Sequence, residues 1–332
     1  GNVLISATGI FNPPVKPNID GLESFAGPAF HTAEWRDDIE LDDQRVAIIG
    51  NGASCMQTAP EIQHRVASLT IFQRSPHWAA PFAQFRRKVP DALRFMLREV
   101  PLYQAWYRVR LGWTFNDKVL PTYPPFGKRM LMDNGWYRML RNERVELVDD
   151  PIVRIESDRV ITADGREFEA DVLVLATGFD VLRFITTFDV YGRHGRPLRE
   201  AWEDDNARAY LGTVVPEFPN FFTLYGPNLQ PGHGGSLIFV VEMQMHYVMD
   251  VIRKMAAQDL GAVECRPEVH EAYNARVDDA HENMVWTHPG MTTYYRNARG
   301  RIVVNSPFRN VDYYAMTRAA DLDEFVVEPR RA

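Results

Sequence analysis

Two glycines separated by one residue, Gly50-Asn51-Gly52, form the most informative pattern in the sequence. They follow a β-branched apolar run at 45–49 and precede a helical pattern over 53–66, after which a second apolar run covers 69–73. In such a unit the first glycine permits a tight turn and the second lets a pyrophosphate approach the backbone. The helix then presents its first amides and the positive end of its dipole. The pattern predicts a dinucleotide-binding βαβ unit, with an ordinary strand-to-helix turn as the alternative.

The residues after the second apolar run favour NADP over NAD. An NAD site usually has an acidic residue about 20 positions beyond the glycines, where it binds the ribose 2′-hydroxyl. Here Gln73-Arg74-Ser75 occupies that place without a carboxylate. A guanidinium suits a 2′-phosphate, so Arg74 indicates NADP, and a solvated surface arginine is the alternative. For a second basic pair, Lys128-Arg129, contact with the NADP phosphate is one interpretation, and a solvated charge pair is the alternative.

The remaining pattern predicts an α/β protein. Apolar runs predict strands at 152–155, 160–162, 172–175 and 221–225, a turn at Asp164-Gly165, and a helix over about 236–258. Residues 81–126 mix arginines and aromatics and predict a mostly helical insertion closed by prolines. Amphipathic helices packed on the protein are favoured there over a membrane-surface helix.

Composition excludes several classes of function. The chain has 332 residues, of which 45% are apolar and 24% charged, which is typical of a globular protein of about two domains. A net charge of −7 argues against a general nucleic-acid binder. Two cysteines indicate a reducing, cytoplasmic location, and the nine histidines show no metal-ligand spacing. The most apolar stretch, 236–252, is interrupted by charged and polar residues, so no membrane span is expected.

A short internal repeat in the sequence bears on domain organisation. The strand-like segment 4–9 and the segment 173–178 both end in Ala-Thr-Gly, and they bracket the βαβ unit with its insertion. Residues 3–6 are predicted to form a buried strand. The placement of this repeat predicts that the chain leaves one domain at Gly9 and re-enters it after Gly178.

A resemblance to a known family is carried by the segment from Phe25 to Trp35. With Gly27, His31 and Thr32 it resembles the fingerprint F-x-G-x-x-x-H-T-x-x-W of Baeyer–Villiger monooxygenases, flavoproteins of class B that bind FAD and NADPH. Arg36 departs mildly from the family pattern. Segments 224–228, 233–236 and 299–308 look closest to the 4-hydroxyacetophenone monooxygenase branch. Flavin-containing N- or S-oxygenating monooxygenases share a looser form of the fingerprint.

The resemblance implies a role for each matching residue. Those that would surround the NADP pyrophosphate and ribose are Gly50, Asn51, Gly52, Ala53, Ser54 and Gln57. Those that would hold the 2′-phosphate are Arg74, Ser75 and Lys128. Arg129 resembles the catalytic arginine beside the flavin, and the further cofactor-binding residues are Thr177, Gly226 and Asn228. His31 and Trp35 would belong to the linker that couples the domains. Tyr294-Tyr295 stands where the family often has Trp-Tyr.

The resemblance also implies a fold and an activity. The fold is α/β, with two Rossmann-like dinucleotide-binding domains of the flavoprotein monooxygenase type and a helical insertion in the NADP domain. The activity is NADPH- and FAD-dependent insertion of one oxygen atom of O2 into an aryl or cyclic ketone, giving an ester or lactone through a C4a-peroxyflavin. The alternatives are an N- or S-oxygenating flavin-containing monooxygenase and an inactive NADP-binding fragment.

The expected domain boundaries follow from these assignments. Residues 1–19 would form the end of the FAD domain and a linker, and 20–80 the first part of the NADP-binding domain. The insertion would cover 81–126, the second part of the NADP-binding domain 127–175, and the C-terminal part of the FAD and substrate domain 176–332. A flavin-binding βαβ unit needs about 30 residues with its own glycine turn. No second glycine fingerprint occurs, so we expect the FAD domain to be incomplete at its N-terminal segment.

Overall fold

The chain divides into two compact units in a computed structural model that describes residues 2–81, 92, 95, 96, 100, 121, 123–232 and 236–330. Unit 1 comprises Gly1–Pro13, Phe126–Arg129 and Phe179–Ala332, and unit 2 comprises Pro14–Pro125 and Met130–Gly178. The predicted helical insertion at 81–126 lies mostly outside the described residues.

Strands and helices occur along the whole described part of the chain. The strands are β1 (Leu4–Ser6), β2 (Ala29–His31), β3 (Arg45–Ile49), β4 (Ser68–Phe72), β5 (Ala79–Pro81), β6 (Leu131–Asp133), β7 (Val145–Val148), β8 (Ile152–Ile155), β9 (Arg159–Thr162), β10 (Glu167–Glu169), β11 (Val172–Leu175), β12 (Phe221–Thr223), β13 (Leu260–Cys265) and β14 (Phe325–Pro329). The helices are α1 (Ala53–Ile62), α2 (Trp136–Met139), α3 (Leu198–Ala201), α4 (Leu237–Ala257), α5 (Pro267–His281) and α6 (Asn310–Thr317).

Unit 2 is organised by a parallel sheet of five strands in the order β2-β11-β3-β4-β7. Its strands are β-branched apolar runs, and Ile48, Leu69 and Leu173 are fully buried, as expected for a parallel sheet covered on both faces. Because all five strands run in the same direction, the ends of β3, β4 and β11 meet at one edge. That edge is where a doubly wound fold binds its ligand. The sheet confirms the predicted α/β class.

Helix α1 covers part of this sheet and is shorter than predicted. It buries Cys55, Met56, Ala59 and Ile62 and ends at Ile62, whereas the periodicity predicts helix through residue 66. The chain turns away because the carbonyl of Arg65 accepts a hydrogen bond from the amide of Asp43 at 3.0 Å. Backbone groups of residues 65–67 therefore bond the segment before β3 rather than extend the helix.

Two smaller sheets complete unit 2. Strands β8, β9 and β10 form an antiparallel sheet, and the predicted Asp164-Gly165 turn joins β9 to β10, with Gly165 in the left-handed region at φ 84°. Strands β5 and β6 pair in parallel. The strands predicted at 152–155 and 172–175 are confirmed at both of their ends.

Unit 1 contains the parallel pair β1–β12, the antiparallel pair β13–β14, and helices α4, α5 and α6. Helix α4 begins after Ser236, whose hydroxyl accepts a hydrogen bond from the amide of Phe239, and its extent matches the predicted helix. Its side chains Tyr247, Val248 and Val251 are fully buried in the core of the unit. In the described part of the chain, no helix combines the length and the apolar character needed to cross a membrane.

One strand differs from its prediction in burial. Residues 3–6 are predicted as a buried strand, and β1 does pair in parallel with β12, but Leu4 and Ile5 are 49% and 36% exposed. Among the described residues β1 pairs with β12 alone, so its apolar side chains lie at a sheet edge.

The unit boundaries also differ from the expected domain boundaries. The chain passes from unit 1 to unit 2 after Pro13 and returns after Gly178, close to the two Ala-Thr-Gly segments. The expected boundary at residue 127 places Lys128 and Arg129 in the NADP-binding domain, whereas the structure groups both with unit 1. The physical reason is that Arg129 lies beside tyrosines of unit 1.

Candidate functional site

The Gly50-Asn51-Gly52 turn lies at the carboxyl edge of the parallel sheet. The amide of Gly50 donates to the carbonyl of Phe72 at 2.8 Å, which holds the turn beside the end of β4. Gly50 has φ 103°, and a Cβ atom there would lie 2.4 Å from the carbonyl oxygen of Ala176. Both facts require glycine at this position.

Gly52 differs because it faces open space. A Cβ atom at Gly52 would have no atom within 4 Å, and Gly52 caps α1 without a side-chain hydrogen bond. The first amides of an α-helix have no partner within the helix, so they are available to an anion that approaches this opening. The residues predicted to follow the pyrophosphate, Ala53, Ser54 and Gln57, all lie in the first turns of α1.

Asn51 connects the glycine turn to the segment that follows β4. Its buried Nδ2 donates to the Gln73 side-chain oxygen at 2.8 Å and to the Ser75 carbonyl at 3.1 Å. These bonds fix the glycines relative to Arg74, which is exposed. No described carboxylate forms an ion pair with Arg74. The structure therefore brings together the predicted NADP residues of unit 2.

Two predicted residues, His31 and Thr177, meet at the turn after β11. The carbonyl of Gly178 accepts a hydrogen bond from the amide of Val15 at 2.9 Å, and it is also the backbone partner of the His31 ring. The hydroxyl of Thr177 donates to the carbonyl of Val15. Burial lowers the pKa of His31, which keeps the ring neutral at physiological pH. The Thr177 hydroxyl thus holds two chain segments of unit 2 together.

In unit 1, the Gly226-Pro227-Asn228 turn is buried and closely packed. A Cβ atom on Gly226 would lie 2.3 Å from the carbonyl oxygen of Gly212, so only glycine fits. Asn228 is 2% exposed and has φ 57°. Its Nδ2 donates to the carbonyls of Ile302 at 2.8 Å and Asn305 at 3.2 Å. The backbone amide of Asn228 also donates to the carbonyl of Val303 at 2.8 Å, so both its side chain and its amide are bonded within the protein.

A charged network supports the side chain of Asn228. Arg301 donates to the Asn228 side-chain oxygen at 3.1 Å and to the Asp278 carboxylate at 2.8 Å. The His281 ring lies beside it, with Nε2 3.3 Å from the Asn228 Nδ2. The indole N–H of Trp286 donates to His281 Nδ1 at 2.9 Å, so a neutral ring carries its proton on Nε2. Burial and the charge of Arg301 lower the pKa of His281 to about 4.

Arg129 lies among three tyrosines of unit 1. Its charge acts on Tyr225, Tyr294 and Tyr295, opposing the rise that burial causes in each phenol pKa. Burial dominates, and the pKa of Tyr225 rises to about 12, so these tyrosines are neutral phenols near pH 7. Arg129 is exposed, and no described carboxylate pairs with it. An uncompensated cation among neutral donors is suited to stabilising negative charge on an oxygen atom.

The other predicted residues are distributed as follows. Lys128 belongs to unit 1 with Arg129, whereas Arg74 and Ser75 belong to unit 2. Residues 233–235 of the segment at 233–236 lie outside the described residues. Within the described ranges, no group of three or more His, Cys, Asp or Glu side chains could hold a metal ion.

Several residues that shape the site are absent from the sequence-based predictions. Gln244 is fully buried in α4, where its Oε1 accepts a hydrogen bond from the amide of Tyr225 at 2.7 Å and holds the turn after β12. Asp278 and His281 lie on α5. A polar residue on the apolar face of a predicted helix is a signal that could identify Gln244.

Comparisons with known proteins place the chain among monooxygenases. A scan of protein-family models finds no match. The chain is 44% identical to an uncharacterized monooxygenase of Sinorhizobium fredii, over 99% of the chain and 57% of the relative. It is 32% identical to a Baeyer–Villiger monooxygenase of Pseudomonas aeruginosa, over 98% of the chain and 67% of the relative. A Baeyer–Villiger monooxygenase of Streptomyces coelicolor is also 32% identical, over 98% of the chain and 69% of the relative.

Solved structures show the same fold. A steroid monooxygenase bound to NADP matches with a TM-score of 0.80 at 23% identity, over 99% of this chain and 75% of that one. Cyclohexanone monooxygenase from Rhodococcus sp. Phi1 bound to NADP+ matches with a TM-score of 0.81 at 21% identity, over the same shares. The fold is thus that of two-domain, Rossmann-like flavoprotein monooxygenases.

The chain spans 57% of the length of its Sinorhizobium relative. Its identity to the Pseudomonas and Streptomyces enzymes shows that the chain belongs to the Baeyer–Villiger monooxygenase family.

Proposed function

We propose that the chain carries out NADPH- and FAD-dependent oxidation of a ketone by O2 to an ester or lactone. The observation that carries this proposal is the environment of Arg129, an exposed guanidinium with three neutral tyrosines and no described carboxylate partner. Such a cation stabilises negative charge that develops on oxygen, which ketone oxygenation requires.

The residues of unit 2 fit NADP. Gly50 provides a turn that no other residue could adopt, and Gly52 leaves the start of α1 open. We propose that this opening binds the pyrophosphate and that Arg74 binds the 2′-phosphate, with Ser75 beside it. Two relatives in fold, the steroid and cyclohexanone monooxygenases, have NADP bound, which supports this assignment.

The Gly226-Pro227-Asn228 turn of unit 1 is the proposed contact for FAD. The side chain and the backbone amide of Asn228 are both bonded within unit 1, so we propose that Gly226 and Asn228 shape the surface against which the cofactor lies. For Thr177 of unit 2, whose hydroxyl is bonded to Val15, a cofactor contact is proposed on the family resemblance. When bound, FAD would supply the redox chemistry that activates O2. A curated relative, an FAD-binding monooxygenase of Aspergillus niger, is 32% identical over 98% of the chain and supports this cofactor.

Arg129 acts on the substrate side of this reaction. We propose that its guanidinium faces the oxygen of a bound ketone. The neutral phenols around it can donate hydrogen bonds but cannot neutralise it. Removal of one such stabilising donor typically lowers kcat by about 10²- to 10³-fold.

The test uses the flavin-loaded protein with NADPH and two ketones. Aryl ketones come first because the later segments resemble the 4-hydroxyacetophenone branch, and a cyclic ketone is the second substrate. We expect an ester or lactone, measured by gas chromatography with mass spectrometry. Arg129→Ala should keep flavin reduction and lose about 10²-fold or more of the product rate. Arg141→Ala is the control because Arg141 is also exposed, without a described carboxylate partner, in unit 2.

The same assay decides among the alternatives. Oxidation of amines or sulfides without ketone turnover would favour an N- or S-oxygenating enzyme. A colourless protein that still binds NADPH would support an inactive NADP-binding module. An Arg129→Ala variant that forms product at the parent rate would contradict the role of Arg129.

Cofactor preference tests the NADP site separately. Arg74→Gln removes a charge-assisted hydrogen bond, which is worth about 1.5–3 kcal/mol. We therefore expect the KM for NADPH to rise about 10- to 100-fold, while the KM for NADH stays the same. An unchanged ratio of the two KM values would show that Arg74 is a solvated surface residue.

We also propose a cytoplasmic location. Cys55 and Cys265 are free and buried, which fits a reducing compartment. Burial raises the pKa of both thiols, to about 12 for Cys265, so neither has the thiolate character of a reactive cysteine.

A further inference from the structure

We propose that Gln244 is a positioning residue whose side-chain amide holds the Gly226-Pro227-Asn228 turn against a second turn at residues 211–213. The effect on the two turns stands on their geometry alone, whereas the effect on FAD rests on the proposed function. Gln244 lies in α4 and is not among the residues predicted to bind a cofactor or to catalyse.

The side chain of Gln244 bonds two segments that are distant from it in the chain. It is fully buried, and its Oε1 accepts a hydrogen bond from the amide of Tyr225 at 2.7 Å. Its Nε2 donates to the hydroxyl of Thr213 at 2.8 Å and to the carbonyl of Thr223 at 3.1 Å. The Nε2 also lies 3.3 Å from the carbonyl oxygen of Gly212. One buried amide therefore joins both turns in the interior of unit 1.

Both turns have backbone conformations that need support. Leu211, in the turn at 211–213, has φ 51°, and Tyr225, just before the other turn, has φ 53°. Such left-handed conformations are uncommon for large side chains and persist where the surrounding structure holds them. Gln244 bonds Tyr225 directly, and it reaches Leu211 through Thr213, whose hydroxyl donates to the Leu211 carbonyl at 2.9 Å. These bonds are therefore well placed to fix both conformations.

The two turns also pack directly on each other. A Cβ atom on Gly212 would lie 2.5 Å from Leu229 Cγ and 2.7 Å from the carbonyl oxygen of Pro227. Because a single added carbon atom does not fit there, a shift of the turn at 211–213 displaces the residues packed on it. Loss of the Gln244 amide should therefore alter the surface that the proposed function assigns to FAD.

The first comparison is between Thr213→Val and Thr317→Val. Each change removes one hydroxyl group from a buried threonine of unit 1. The Thr213 hydroxyl lies between Gln244 and Leu211. The Thr317 hydroxyl instead donates to the carbonyl of Tyr313 at 2.9 Å, within α6, which makes Thr317→Val the matched control.

The readout for the turns is hydrogen exchange at the amides of Tyr225 and Asn228, followed by NMR. Each rate is divided by that of the Val248 amide in α4, so that a general loss of stability cancels. We expect these ratios to rise about 2- to 10-fold in Thr213→Val and about 10-fold or more in Gln244→Met, which removes the whole amide. The control variant should keep the parental ratios.

The readout for the cofactor is the dissociation constant of FAD, measured by titrating the flavin-free protein and following flavin fluorescence. We expect Gln244→Met to bind FAD about 10-fold more weakly than the parent. Val251→Ala is the control for stability because Val251 is another fully buried side chain of α4. It should lower the free energy of unfolding and leave the affinity for FAD unchanged.

Each outcome decides one part of the proposal. Parental exchange ratios in folded Gln244→Met would overturn the positioning role, and Thr213→Val gives the same decision if Gln244→Met does not fold. Faster exchange with parental FAD affinity would overturn the effect on the cofactor, as would an equal loss of affinity in Val251→Ala. If the parent binds no FAD, the proposed function fails, and the exchange ratios still decide the role of Gln244.

Discussion

The two glycine-containing turns of the molecule differ in what surrounds them. The Gly50-Asn51-Gly52 turn of unit 2 has open space at Gly52, and the nearby Arg74 has no described carboxylate partner. The Gly226-Pro227-Asn228 turn of unit 1 is buried, and both polar atoms of the Asn228 side chain are bonded within the protein. The first turn leaves the start of α1 open at Gly52, whereas the second is closely packed around Gly226 and Asn228. Similar sequence motifs can therefore leave a helix start open in one place and be closely packed in another.

Alanine substitutions of the two glycines in the Gly50-Asn51-Gly52 turn are expected to differ most in their effect on stability. Gly50→Ala would place a Cβ atom 2.4 Å from the Ala176 oxygen at φ 103°. We expect it to lower the free energy of unfolding by about 2–5 kcal/mol through strain and overpacking. Gly52→Ala meets no atom and should change stability by less than about 0.5 kcal/mol while weakening NADPH binding. Urea unfolding and NADPH titration provide the two measurements, and equal losses of stability would show that both glycines are structural.

The two asparagines of the turns provide the next test. Asn228→Ala removes the hydrogen bonds that its side chain donates to two buried carbonyls and accepts from Arg301, and it places alanine at φ 57°. We expect a loss of about 2–4 kcal/mol in the free energy of unfolding, measured by urea denaturation. Asn51→Ala removes the two bonds from Nδ2 and should cost about 1 kcal/mol. If Asn51→Ala lowered the free energy of unfolding as much as Asn228→Ala, the two turns would not differ in the way proposed.

The pH dependence of stability tests the surroundings of the Gly226-Pro227-Asn228 turn, because His281 lies beside Asn228. The folded protein does not protonate His281 until about pH 4, whereas the unfolded chain does so near 6.5. The unfolded chain thus binds more protons in this window, and stability falls as the pH falls through it. We expect His281 to account for about 2 kcal/mol of stability lost between pH 7 and pH 5.

His281→Gln keeps an acceptor for Trp286 and removes the titration. The free energy of unfolding of this variant should depend less on pH between 5 and 7. Some dependence should persist because burial also lowers the pKa of His31 and His270. A variant with the full pH dependence of the parent would show that His281 does not contribute.

The sequence predicts unit 2 well because its signals are local. The run at 45–49, the glycines and Arg74 follow one another within one βαβ unit, and the edge of the sheet brings their ends together. Strand β2, by contrast, is absent from the predicted elements. Its residues Ala29–His31 lie inside the fingerprint segment, and its place in the sheet depends on pairing with β11, far along the chain.

The Gly226-Pro227-Asn228 turn of unit 1 is harder to predict because its contacts also come from distant segments. The family motif assigns Asn228 to cofactor binding, but the hydrogen bonds of its side chain go to residues 301–305, which no local pattern connects to it. Arg129 likewise belongs to unit 1, where its charge acts on Tyr225, Tyr294 and Tyr295, residues far along the chain. Spacing identifies residues that can do chemistry, whereas contacts between distant segments decide what their side chains are free to do.

The division of the chain has a consequence for the order of folding during synthesis. All residues of unit 2 have been synthesised once the ribosome passes Gly178, so the five-stranded sheet can form early. Strand β1 is made before unit 2, yet its partner β12 comes only at Phe221–Thr223. The pairing of β1 that the structure describes therefore forms after unit 2 has been made, and pairing between such distant segments is slow. The nascent chain carries this apolar strand as a site for chaperones or for aggregation until unit 1 is complete.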